Sequence, residues 1–368
     1  MRIRIELAAL TILASVPLAF AQSAPTSRPT STQAAPTIEV SVDARVELLS
    51  VIFRLAGHPE YNHAKVLSSY AKDIDAHFAP VKDHPVVRTA QRLRSQYGVS
   101  YDAPMGLAVH LTDAKSLQPL VPLDPWPEGL DTRWKPDELK TFLEQARDFV
   151  TASRFQSFFD AHKPLYDLAV SRMRTQLRTV HPEWFDTFFG TQLNDRFHLT
   201  LGVANGPHCY GPRLVGRNQR DLYCILGIWL ADAQGQPRFD SSVLSTVVHE
   251  FAHSYANPLT DKWEPQLRPA GQALYRTRQE QMTKMAYGNW QTMMRESLVR
   301  VAVVRHTFRY QGAAAATKAA LAEQAQGFTW MPQLSDLLAQ YERQRSTYPT
   351  LDAFMPKVVE FFNAFPTN

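Results

Sequence analysis

Residues 249–253 read His249-Glu250-Phe251-Ala252-His253, the pattern H-E-x-x-H. On an α-helix four residues turn the chain by about 400°, so the two imidazoles leave one face within about 40° of each other, one turn apart. Placed like that, they can share one cation. Glu250 lies about 100° round from His249 and about 60° from His253, beside such an ion rather than on it. There a carboxylate can take a proton from a water that the ion holds. The chemistry indicated is metal-assisted hydrolysis with Glu250 as general base. In a chain of this composition chance yields the pattern roughly 0.02 times.

A catalytic zinc site has three protein ligands and one position for water or substrate, so a third donor is required. The compact extension of the motif needs a glycine at 256 and a histidine at 259. Those positions hold Ala256 and Leu259, so the third ligand must be remote. Glu296 is the best candidate. It falls within Asn289–Arg309, a stretch of helical period, with Met293, Val299 and Val303 around it on an apolar face where an unpaired carboxylate is costly. An i,i+4 ion pair with Arg300 is the alternative use for it. Asp261, Glu264, Glu280 and His306 are the competitors, each in a more polar setting or better placed for another role.

These groups must be held by a folded scaffold, and the 368-residue chain can supply one: 45% of its residues are apolar and 20% charged. A net charge of +4 with no basic block argues against a nucleic-acid partner. Arg2 and Arg4 precede an apolar run from Leu7 to Phe20, and Ala19-Phe20-Ala21 fits signal-peptidase cleavage. We therefore expect a signal peptide at 1–21, a Ser/Thr/Pro-rich linker at 22–37 and a catalytic domain at 38–368, secreted or periplasmic and with no membrane anchor in the mature form. In an oxidising compartment Cys209 and Cys224 are expected to form a disulfide.

Leu244, Val247, Val248 and Phe251 form the stripe of a helix over Val243–Ala256, with Asp240, Ser241 and Ser242 as N-cap candidates and Pro258 as its expected end. Tyr255 and Asn257 read as part of that termination. Upstream, Ile38–Val42 alternates like a strand, and helices are expected over Ala44–Ala56, Val66–Phe78, Pro85–Tyr97, Pro136–Val150 and Phe158–Thr179. Phe197–Val203 and Asp221–Leu230 read as a hairpin or two adjacent strands. Helices return over Pro265–Met285, from Ala313, and over Leu351–Phe362. The fold class is α+β, helix-dominated, with a small sheet before the zinc helix. His63, His77 and His84 read as solvated or hydrogen-bonded, and Trp126, Trp134, Trp184, Phe188 and Phe189 as core or cleft lining.

TVVHEFAHSYANP followed by an ESLVR helix resembles the gluzincin metallopeptidases and, more closely, a group of secreted bacterial proteins sharing HEFxHxxxNP. The likeness extends to KDHPVV (Lys82–Val87) and YGPR (Tyr210–Arg213). It implies a zincin-like fold with the zinc helix on the floor of a cleft, Zn²⁺ held by His249, His253 and Glu296, and a peptide or protein substrate. It also implies a substrate-binding edge strand, for which Leu222–Trp229 is the candidate, and a tyrosine or histidine that stabilises the oxyanion. His306 and Tyr310 are the residues chosen for that role, with Tyr210, Tyr287 and His208 as further candidates. One position departs from the pattern: gluzincins carry an aspartate four residues after the ligand glutamate, and here it is Arg300. An envelope binding protein with a structural metal, or a zinc hydrolase of a non-peptide bond, are the other readings.

Overall fold

β1 (Ile38–Ser41) is the first described element, and Asp43 then caps α1 (Ala44–Leu55) by accepting the Arg45 amide at 2.8 Å. The computed structural model describes residues 38–62, 66–191, 195–216, 219–240, 242–285 and 287–367; the expected signal peptide, the linker and His63 lie outside them. Helices α2 (Ser68–Phe78), α3 (Pro85–Tyr97), α4 (Asp102–Val109), α5 (Pro136–Ala152), α6 (Phe155–Ala161), α7 (Lys163–Gln176) and α8 (Glu183–Phe189) follow. The single helix expected over Phe158–Thr179 is two, because the chain breaks at His162 and Pro164 occupies the first turn of α7, where no backbone donor is missed. Helix α4 escapes periodicity because every residue after Asp102 is buried, leaving no polar face.

The sheet joins β1, β2 (Arg196–Gly202), β3 (Cys209–Tyr210), β4 (Arg213–Val215) and β5 (Arg220–Gly227). β1, β2 and β5 run parallel, with Phe197 opposite Leu222, and β3 and β4 add antiparallel to the other side of β5. The two long strands are thus adjacent, but not a hairpin. β5 lies inside the sheet, which overturns its assignment as the substrate-binding edge: the short β3 and β4 take that margin. Alternate residues of β5 feed two cores. Tyr223 and Ile225 meet α1, α3, α4 and α5, whereas Leu222, Cys224 and Leu226 meet the C-terminal helices.

Those helices are α9 (Ser242–Lys262), α10 (Glu264–Lys284), α11 (Trp290–Gln311), α12 (Ala313–Ala325), α13 (Met331–Arg343) and α14 (Leu351–Ala364), with α9 and α11 packed along each other. The architecture is helix-dominated α+β with a small mixed sheet. Pro258 does not end α9. Its ring removes the amide that would bond Ser254 C=O, and Arg220 Nη1 approaches that carbonyl at 3.5 Å instead. Among the described residues no helix is long and apolar enough to cross a membrane.

Cys209 and Cys224 are free thiols, against the expected disulfide. Cys209 pairs with Leu226, and that register sets Cys224 level with Gly211. The cysteines are therefore diagonal neighbours, about 7–8 Å apart at Cα, beyond the roughly 7 Å that a bridge can span without backbone movement.

Candidate metal centre

Helix α9 buries Val247, Val248, Phe251 and Ala252 in the core, and this turns His249 and His253 toward α11 and Glu250 toward the β3–β4 link. The i,i+4 spacing brings the two Nε2 atoms to 3.1 Å. From the facing helix α11, Glu296 places Oε1 3.5 Å from His253 Nε2 and Oε2 3.7 Å from His249 Nε2. With one oxygen taken from Glu296, the three donor atoms lie within 4.8 Å of one another, near the roughly 3.3–3.6 Å that separates donors held about 2.0–2.2 Å from a tetrahedral zinc. Among the described residues this is the one group of His, Cys, Asp and Glu whose donor atoms converge in that way. Two imidazoles and a carboxylate are a donor set of catalytic zinc, with one position left over.

The protonation states suit ligation. Burial, joined by the charges of His253 and Arg300 and opposed by Glu296, pushes His249 down to about 3, so its ring is neutral at pH 7. His253 Nδ1 lies 3.2 Å from Asn257 Oδ1; an N–H there donates to the amide oxygen and leaves the Nε2 lone pair free. Asn257 is thus a brace on the ligand rather than a helix stop. It sits at the same i+4 spacing that pairs the histidines, which is the signal that could have found it. Burial alone would raise Glu296, yet its pKa falls below the ordinary value because the imidazoles, Arg300 and the Tyr287 hydroxyl lie against it.

Glu250 stands beside the cluster. Burial, with Glu296 adding and His253 opposing, pushes it up to about 7, close to the range in which a carboxylate both accepts and returns a proton. The link between β3 and β4 crosses directly over it. A Cβ at Gly211 would come 2.9 Å from the Glu250 carbonyl oxygen and 3.1 Å from Oε2, so only glycine lets the two backbones approach. This gives the YGPR segment a physical role. The nearby Cys209 thiol is pushed up to about 12 by burial and by Glu250, which keeps it protonated.

Several expected site residues lie elsewhere. His306 is ten residues past Glu296 on a straight helix, about 15 Å away along the axis. It packs on Trp184 with ring centroids 5.1 Å apart, and Tyr310 stacks on His181 at 4.0 Å. The helical rise removes both from the oxyanion role. Tyr210 points into the core on the sheet's other face, and His208 packs edge-on against Tyr101. Asp261, Glu264 and Glu280 pair with Arg295, Arg268 and Lys284. Tyr287 is the candidate that reaches the cluster, donating to Glu296 Oε2 at 3.0 Å. Arg300 reaches it too, so Glu296 both faces the histidines and makes the i,i+4 pair.

The profile of a protein family described as a domain of unknown function (DUF4932) matches residues 38–361. The chain belongs to that family. The DUF4932 match starts with β1, runs into α14 and contains every residue of the His249, His253 and Glu296 cluster. No curated protein and no solved structure matches the chain.

Proposed function

We propose that this DUF4932 chain is an exported zinc-dependent metallopeptidase, gluzincin-like in the disposition of its zinc helix and its remote glutamate. The observation that carries this reading is the convergence of one donor atom from each of His249, His253 and Glu296 to within 4.8 Å, with an unpaired, buried carboxylate one residue from the first histidine. Held by His249, His253 and Glu296, a zinc ion supplies a Lewis acid for a carbonyl and makes water acidic enough to act near neutral pH. Glu250 accepts a proton from water as its oxygen bonds to the carbonyl carbon. It then returns that proton to the amine nitrogen as the C–N bond breaks, giving a carboxylate and an amine. Substrate can reach the site because His249 and His253 keep 22% and 21% of their side-chain surface exposed, while Glu296 keeps 8%.

The test is direct. Metal analysis of the purified chain should find one zinc per molecule, lost in His253→Ala, and a peptide-library digest should show cleavage that Glu250→Gln abolishes while retaining zinc. Zinc-replete protein that cleaves no peptide would favour a binding protein, and equal cleavage by Glu250→Gln would remove Glu250 from the mechanism.

A further inference from the structure

One oxygen of Glu296, the Oε2 that lies 3.7 Å from His249 Nε2, is held by two donors. Tyr287 Oη donates to its Oε2 at 3.0 Å and Arg300 Nε donates to the same oxygen at 3.1 Å. A carboxylate oxygen has about two lone-pair sites, so these two donors fill Oε2. Oε1 faces His253 Nε2 and accepts no hydrogen bond from a described residue.

The grip is itself held in place. Arg300 Nη2 donates to Tyr287 Oη at 2.7 Å, and because a guanidinium cannot accept, the hydroxyl proton must point to Glu296. Arg300 Nη1 is bound to Glu323, and its guanidinium lies 4.6 Å over the buried Phe328 ring. Tyr287 is fixed by its own backbone: its amide bonds Met282 O at 2.9 Å and its carbonyl accepts Tyr275 Oη at 3.0 Å. Neither donor needs to rearrange to keep Oε2.

We propose that Tyr287 and Arg300 are positioning residues that clamp Oε2 so that Glu296 offers one oxygen, Oε1, to the cation. This inference rests on the metal-site reading above.

Cobalt(II) loading of the purified chain tests it, with metal affinity measured against a chromophoric chelator and the visible absorption of the bound ion as the second readout. In Tyr287→Phe and Arg300→Gln the affinity should fall about tenfold or more. The visible bands should weaken as the freed Oε2 joins the ion and takes it from four ligands toward five. Tyr287→Phe is decisive should Arg300→Gln fail to fold, since it removes one hydroxyl and leaves the Glu323 pair intact. Variants with wild-type affinity and superimposable spectra overturn the clamp. A wild-type chain that takes up no cobalt overturns the metal site itself, and the two failures are told apart by which protein shows them.

Discussion

Two glutamates, one on each side of the sheet, share a titration behaviour and differ in everything around it. Glu47 on α1 and Glu250 on α9 are both pushed up to about 7 by burial. Glu47 accepts the Val203 amide at 2.6 Å, the Ala204 amide at 3.1 Å and the Tyr70 hydroxyl at 2.6 Å, so its oxygens are spent on tying the end of β2 to the N-terminal helices. Glu250 accepts no hydrogen bond from a described residue and lies between the candidate metal cluster and the β3–β4 link. A raised pKa therefore marks a buried carboxylate, and only the unfilled lone pairs beside converging metal donors mark one available for proton transfer.

Substitutions can break this contrast. Glu250→Gln should lower turnover by about 10²–10⁴-fold, the usual worth of a general base, while the melting temperature holds or rises; steady-state kinetics and a thermal melt check both. Gly211→Ala pushes a methyl into the Glu250 carbonyl and carboxylate, and should cost about tenfold in turnover with zinc content unchanged. Glu47→Gln should do the reverse of Glu250→Gln. One backbone donor loses its acceptor, about 1–3 kcal/mol of stability goes in urea unfolding, and activity per folded molecule stays within about twofold.

The last effect concerns pH. Glu47 has an ordinary value of 4.5 and a folded value of about 7, so the folded state binds the extra proton between these limits. Stability should fall as pH rises through that window, by a few kcal/mol at most, on the order of 3. Urea midpoints at several pH values should show this slope flattened in Glu47→Gln.

The convergence of His249, His253 and Glu296 was legible because it rests on short-range spacing: i,i+4 for the histidines, and an acidic residue on an apolar helical face. The expected helix boundaries fell near the observed ones wherever a polar face survived, as in α3 and α5. Pro258 misled because its lost hydrogen bond is made good by Arg220, from a strand distant in sequence. The margin of the sheet was misassigned because the β3 and β4 pairings depend on loop geometry that periodicity does not carry. The grip of Tyr287 and Arg300 on Glu296 joins a loop, a helix and Glu323 of another helix, and tertiary packing alone decides it. His306 and Tyr310 failed on distance, since their residue type suited the task and the helical rise carried them past the site.

The parallel pairing of β1 with β2 has a consequence for how the protein comes into being. Ile38–Ser41 leaves the ribosome long before its partner Arg196–Gly202, which is made only after the whole N-terminal helical layer. Until then one strand edge stays open to strangers, and the three side chains of the candidate metal centre, all later still, cannot assemble before the scaffold does. A nascent chain of this design needs either shielding of that first strand or rapid completion, and truncations ending before β2 should clump rather than fold.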